Sequence, residues 1–220
     1  MASSNASAHH QPFNTTSLER SQRDMAEIVS SITNALGVKL LTVGNNYQSP
    51  KPHTGPQRHM FPTGPFSIDE WQTGDDIRLI CLTDNSKSTF WSLLGEKLDI
   101  ESLQQQSNTG KSADVHEVVR LAGNGRVYVH YCKIPHGLDI AELVGQLTEN
   151  HVPTGKFTKT EKNTLQFLAD TIQMTHRFFH DDFRIAYRRL RSWAESAGIF
   201  SSRFGMFDAH SLLWLSLIHI

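Results

Sequence analysis

The stretch Gly64-Pro65-Phe66-Ser67-Ile68-Asp69-Glu70-Trp71-Gln72-Thr73-Gly74-Asp75-Asp76-Ile77-Arg78-Leu79 decides how this chain is read. A glycine turn leads through a short polar segment to an acidic residue at the head of an apolar strand, Ile77 to Leu82. Side chains at i and i+2 of a strand share a face, so Asp76 and Arg78 are expected side by side. Asp69 and Asp75 are further acids nearby, and alternation sends Asp75 to the opposite face or into the turn. Taken alone, Asp76 and Arg78 read as an ordinary surface ion pair.

Downstream, Ser86 to Leu98 has helical spacing, with Ser86 as candidate N-cap and Phe90, Leu93, Leu94 and Leu98 on one side. Leu103 to Lys111 reads as polar loop. Val115 to Leu121 and Val127 to Ile134 read as strands around the Asn124-Gly125 turn, a hairpin signal. Gly123-Asn124-Gly125 is a turn, not a phosphate loop. The strand from Ile77 is expected beside Val127 to Ile134, because both are apolar runs suited to burial. Upstream, Leu18 to Leu36 carries Met25, Ile28, Val29, Ile32 and Leu36 at helical intervals, with Gly37 as a stop. Lys39 to Val43 reads as a short strand. Gly44 to Thr63, with prolines at 50, 52, 56 and 62, reads as an irregular loop.

The ends differ in character. Residues 1–17 are Ser/Asn/His/Thr-rich and read as a disordered tail. Residues 150–162 read as a linker between a strand-containing unit, 18–149, and an all-helical unit, 163–214, with helices over Thr164 to His180, Asp182 to Ala197 and from Ala209 onward. The fold class expected is therefore α+β: a small mixed sheet with helices, followed by a helical domain.

Composition narrows the function. A net charge of −1 gives no global pull toward nucleic acid or an anionic membrane, although the Arg184, Arg188, Arg189 and Arg191 cluster is a local basic face. Such a run is usually a solvated face. Cys81 and Cys132 sit within strands and read as buried apolar residues, not a disulfide framework, which fits a reducing, intracellular setting, nuclear or cytoplasmic. No apolar run has the length of a membrane helix, and no basic and apolar leader is evident at the N-terminus. His176 and His180 lie at i, i+4 before Asp181 and Asp182, but no third ligand supports a metal site, so a helix surface is expected. Trp71, Trp91 and Trp193 are expected in the core.

The run Phe183-Arg184-Ile185-Ala186-Tyr187-Arg188-Arg189-Leu190-Arg191-Ser192-Trp193-Ala194-Glu195-Ser196-Ala197-Gly198-Ile199-Phe200-Ser201-Ser202-Arg203-Phe204-Gly205-Met206-Phe207-Asp208-Ala209-His210 resembles the central helical domain of eukaryotic poly(A) polymerases, within the polymerase-β superfamily of nucleotidyltransferases. That family shows Lys-x-Trp-Ala, then Gly-Ile-Tyr-Ser, then Gly-Phe-Leu-Gly-Gly. Gly64 to Leu98 resembles its catalytic turn-strand-helix unit, and Gly125 to Cys132 the strand bearing its third catalytic aspartate. The resemblance spans roughly Leu18 to Leu213 and is nearest the fungal-type proteins. It implies a nucleotidyltransferase-like first domain, a nucleotide cleft, and ATP, Mg²⁺ and RNA as ligands.

Against that family, the departures concentrate on chemistry. The phosphate-contacting Ser after the glycine, Gly64, is Pro65, which has neither a hydroxyl nor an N–H. The first metal aspartate is matched by Asp76, the second falls on Arg78, and the third, a base toward the RNA 3′ hydroxyl, falls on Tyr128. The triphosphate-binding Lys is matched by Arg191, the nucleotide-contacting Tyr by Phe200, and the glycine pair beneath the adenine by Asp208 and Ala209.

Two-metal catalysis needs carboxylates that bring two dications within about 4 Å. One carboxylate plus substrate phosphates holds one Mg²⁺ weakly. A guanidinium on the same face opposes a cation by roughly 1 to 4 kcal/mol per unit charge. A tyrosine phenol, ordinarily titrating near ~10, is protonated at neutral pH and accepts no proton there. The expectation is a degenerate homologue that binds nucleotide or RNA without AMP transfer. The alternatives are an active enzyme using Asp76 and relocated acids, told apart by whether two carboxylates converge, and a non-catalytic scaffold. Leu215-Ser216-Leu217-Ile218-His219-Ile220 is what CTG TCT CTT ATA CAC ATC encodes, a string that resembles a transposon end used in sequencing libraries, so residues 215–220 are expected to be an artefact closing a fragment.

Overall fold

The computed structural model describes residues 26–34, 36–37, 39–40, 58–68, 70–72, 74–98, 104–105, 115–120, 126–153, 155–178, 181–200, 211–212 and 215. The expected tail, the 44–57 part of the expected loop, the Asn124-Gly125 turn, Asp69, Asp208, Ala209 and residues 216–220 lie outside them.

A mixed sheet of six strands organises these residues, in the order β1-β2-β3-β6-β5-β4. The strands are β1 (Lys39–Leu40), β2 (Arg58–Thr63), β3 (Ile77–Thr83), β4 (Gln104–Gln105), β5 (Val115–Arg120) and β6 (Arg126–Lys133). The helices are α1 (26–34), α2 (Lys87–Leu98), α3 (Ile140–Thr148), α4 (Lys159–Phe178) and α5 (Asp181–Ser196). The α+β class, the adjacency of the Ile77 strand to the Val127 strand, and the Ser86-capped helix are all as expected. Ser86 Oγ accepts from Thr89 N at 3.2 Å, which closes the first turn of α2.

The centre of the sheet is the parallel pair β3–β6, buried on both faces. Ile77, Leu79 and Cys81 of β3 join Val127, Val129 and Tyr131 of β6 in one core, covered by Ile32 and Leu36 at α1 and by Phe90, Trp91 and Leu94 of α2. The alternate residues Ile80, Leu82 and Cys132 face a second core with Leu143, Val144 and Leu147 of α3 and Leu165, Leu168, Ala169 and Ile172 of α4. Unbroken apolar runs are what a two-faced strand requires.

Three expectations need correction, and one helix had none. Residues 58–63 form a strand, not loop: Met60 enters one core and Phe61 the other. Proline is tolerated at position 62 because β1 pairs only with His59 and Met60, leaving Pro62 beyond its end among the described residues. The 150–162 stretch is not a free linker, because Phe157 is buried in the sheet core and α4 already begins at Lys159. There Thr158 and Glu161 form a reciprocal capping box, with Thr158 N donating to Glu161 Oε2 at 2.7 Å and Glu161 N to Thr158 Oγ1 at 3.3 Å. Helix α3 had no expectation, although Asp139 caps it at Ala141 N (2.8 Å) and Ile140, Leu143, Val144 and Leu147 form its buried stripe. Trp71 and Trp91 are buried as expected, but Trp193 stands 57% exposed on α5.

Both thiols are buried, and burial pushes Cys81 up to about 12. A buried, protonated thiol is a poor nucleophile. Neither cysteine of the folded protein is expected to react with a thiol reagent at pH 8 within minutes, while both should react in denaturant; mass spectrometry reads the outcome, and rapid labelling of native protein would contradict the packing.

Candidate nucleotide cleft

The amino ends of β3 and β6 bring three sequence-predicted residues together. Parallel register sets Ile77 opposite Val127 and Arg78 opposite Tyr128. Just ahead of β3, Asp76 Oδ1 accepts the backbone N–H of Arg126 at 3.1 Å. Arg126 also donates from Nη1 to the Tyr128 hydroxyl at 3.2 Å. The corner therefore holds one carboxylate, two arginines and a phenol. Arg126 had no expectation attached to it; it heads the strand that places Tyr128.

Gly64 and Pro65 lie at the end of β2, on the same side of the sheet. Gly64 takes φ +67°, a left-handed conformation that glycine adopts without the strain of a Cβ. Pro65 is buried in a 3-10 turn, Gly64–Ile68, and its carbonyl accepts Glu70 N at 2.9 Å. The turn is thus closed on the chain that follows it.

That following segment is held by α5. The Asp75 carboxylate, 2% exposed, takes two bonds from Arg191: Nη1 to Oδ2 at 2.6 Å and Nη2 to Oδ1 at 3.0 Å. Asp75 Oδ2 also accepts Gln72 N at 3.0 Å, and the Asp75 carbonyl accepts Trp71 Nε1 at 3.2 Å. The third donor of Arg191, Nε, goes to Glu195 Oε1 at 2.9 Å. Phe200 lies against the same guanidinium, 4.8 Å from Cζ to the ring centroid. Arg191, matched by resemblance to a phosphate-binding lysine, is in this structure 4% exposed and engaged from within. Phe200 packs with Met174, Tyr187 and Leu212 around it.

Electrostatics follow burial. Desolvation raises the Asp75 carboxyl above its ordinary value against the pull of Arg191. Desolvation opposes the charge on Arg191, yet bonding to Asp75 holds its basicity above the ordinary range. The paired geometry, with both oxygens and both terminal nitrogens matched, argues for the charged state of the couple. Burial pushes the Tyr187 phenol beside them up to about 12.

A second carboxylate is also taken. Glu70, 7% exposed, accepts from Arg184 Nε at 3.1 Å and from Arg188 Nε at 2.9 Å and Nη2 at 2.7 Å, with Arg184 Nη2 in ion-pair contact at 3.0 Å. The sequence offered a faint signal, two arginines one helical turn apart, but nothing in it announced Glu70 as their partner.

The donors do not fit a two-metal centre. Asp76 is the one carboxylate at the β3–β6 corner among the described residues, and one of its oxygens already accepts a backbone N–H. Asp75 is turned into its ion pair, and Arg78, opposite Tyr128, brings a cation to the corner and not a carboxylate. No group of three His, Cys, Asp or Glu residues placed to hold a metal occurs among the described residues. At the opposite, carboxyl end of β3 and β6, a cavity of about 400 Å³ opens beside Ser86, Lys87, Tyr131, Lys133 and Thr158; none of the candidate site residues lines it.

No family model matches the chain, and no curated protein matches it. Among solved structures the chain is similar to Cid1, described as having RNA terminal uridylyl transferase activity, at 10% identity and a TM-score of 0.44, over 89% of this chain and 47% of that one. The chain thus spans about half the length of that structure. Among the described residues no helix is long and apolar enough to cross a membrane.

Breaking the buried pair from one side leaves an uncompensated charge, at a cost of about 3–5 kcal/mol. Arg191→Met is expected to destabilise the fold by that amount in urea titration, and Arg191→Met with Asp75→Leu to recover most of the loss. A single variant as stable as wild type would contradict the clamp.

Proposed function

We propose that the chain is a degenerate poly(A)-polymerase-like nucleotidyltransferase homologue that has lost AMP transfer and keeps a weak affinity for the phosphates of nucleotide or RNA. One observation carries this reading: Arg78 and Tyr128 face each other in register at the two positions where the resemblance requires carboxylates. A guanidinium there repels the second cation, and a phenol offers no base. Pro65 adds a third defect, since no hydroxyl or N–H is available at that step of the turn. The chain's arginines, not a metal, are then left to meet phosphate. Two buried free thiols agree with a reducing, intracellular setting.

The alternative of an active transferase needs acids that converge. Asp75 and Asp76 are neighbours in sequence but point to different partners, Arg191 and the Arg126 backbone. The scaffold reading is favoured by one feature, the exposure of Ile185 and Trp193 on α5, 45% and 57%. Large exposed apolar side chains on a charged helix suit a protein contact.

The test pairs activity with metal binding. Wild type, Asp76→Ala, and the double variant Arg78→Asp with Tyr128→Asp are offered an oligoadenylate, ATP and Mg²⁺ or Mn²⁺. Wild type is expected to add no AMP and to show no saturable Mn²⁺ site below millimolar by electron paramagnetic resonance. The double variant is expected to gain an Mn²⁺ site that Asp76→Ala removes. Template-independent AMP addition by wild type, abolished by Asp76→Ala, would overturn the reading.

A further inference from the structure

Arg184 and Arg188 lie one turn apart on α5 and converge on one carboxylate, Glu70, through three N–H bonds of 2.7 to 3.1 Å and an ion-pair contact from Arg184 Nη2 at 3.0 Å. The exposures are unequal. Glu70 is 7% exposed, while Arg184 and Arg188 are 38% and 59% exposed. The cradle is therefore open on its outer side and filled from its inner side. A fork spanning both oxygens, with a second guanidinium on one of them, is also an arrangement by which arginines grip a phosphoryl group. Arg191 cannot share this role, because it is 4% exposed and engaged by Asp75 and Glu195.

We propose that Arg184 and Arg188 form a phosphoryl-anion site that the protein keeps closed with its own Glu70. This deepens the phosphate-binding half of the proposed function and rests on it. The occupied cradle is the ground for it: the structure already shows an anion seated between the two guanidinium groups. An internal carboxylate on a short tether competes at a high effective concentration, so an external phosphate meets a site that is filled most of the time. Opening requires only that the Glu70 side chain swing away. Its backbone stays fixed by the bond from Glu70 N to the Pro65 carbonyl. Nothing covalent changes; one anion replaces another.

The test is Glu70→Gln, which keeps volume and removes charge. Binding of inorganic tripolyphosphate is measured by calorimetry at low salt for wild type, Glu70→Gln, and Glu70→Gln combined with Arg184→Gln and Arg188→Gln. Glu70→Gln is expected to bind at least tenfold more tightly than wild type, and the triple variant to lose that gain. Raising salt should weaken the gain as well. ATP and an oligoadenylate, compared at equal phosphate, tell whether a nucleoside adds to the phosphoryl contact. If Glu70→Gln is poorly folded alone, its melting temperature must rise with tripolyphosphate beyond a sodium chloride control of equal ionic strength. No gain in affinity and no such rise would overturn the proposal, as would a gain that survives in the triple variant. AMP transfer by wild type would instead overturn the catalytic silence and leave this site standing, so the two failures are distinct.

Discussion

The parallel pairing of β3 with β6 is the constraint on which the rest of the molecule depends. Both strands are covered on both faces, so neither can slip by one residue without turning its apolar set toward the wrong core. Register is consequently rigid along the pair, from Ile77 opposite Val127 to Thr83 opposite Lys133. Whatever occupies positions 76, 78, 126 and 128 is carried to one corner by packing elsewhere. The corner's chemistry and its position are therefore set by different residues. Arg78 and Tyr128 set what the corner presents, while Ile80, Leu82, Val127 and Val129 decide where it is.

The second constraint is charge pairing between α5 and the segment ahead of β3. Asp75 and Glu70 are almost fully covered, and each is matched by arginines from one helix. Buried pairs of this kind contribute little net stability relative to apolar packing, because desolvation offsets most of the attraction. They do impose geometry. Arg191 reaches both oxygens of Asp75, so α5 has one rotation and one height against the segment. Among the described residues, an apolar cluster of Met174, Tyr187, Ala194 and Leu212, flanked by Ile68, Leu190, Ile199, Phe200 and Leu215, packs beside it. The ion pairs add a directional constraint that such packing alone does not supply.

Legibility followed the range of the interaction that decides each element. β3, β5, β6, α2, α4 and α5 were readable because local periodicity and turn residues mark them. β2 was hidden by the prolines around it, and only its neighbours show why one is tolerated at position 62. The break expected at 150–162 rested on polar composition, while Phe157 and the early start of α4 depend on a sheet face that no local window contains. Trp193 was misplaced for a similar reason: an aromatic on an amphipathic helix is usually inward, but Tyr187, Arg191 and Ala194 take the inner face of α5. For the site, the three positions at the β3–β6 corner could be named in advance through the resemblance. The partners of the arginines could not. An ion pair between residues 70 and 188, or 75 and 191, has no period and no spacing rule.

These observations converge on the seven residues from Glu70 to Asp76. The segment carries an acid for the Arg184–Arg188 pair, an acid for Arg191, and the one acid at the β3–β6 corner. Among the described residues, the cations that neutralise Glu70 and Asp75 are the arginines of α5. Closure of the helix onto the segment is then an electrostatic balance between these acids and these arginines. Glu70 and Asp75 satisfy the arginines directly, and the same arginines hold α5 against the segment.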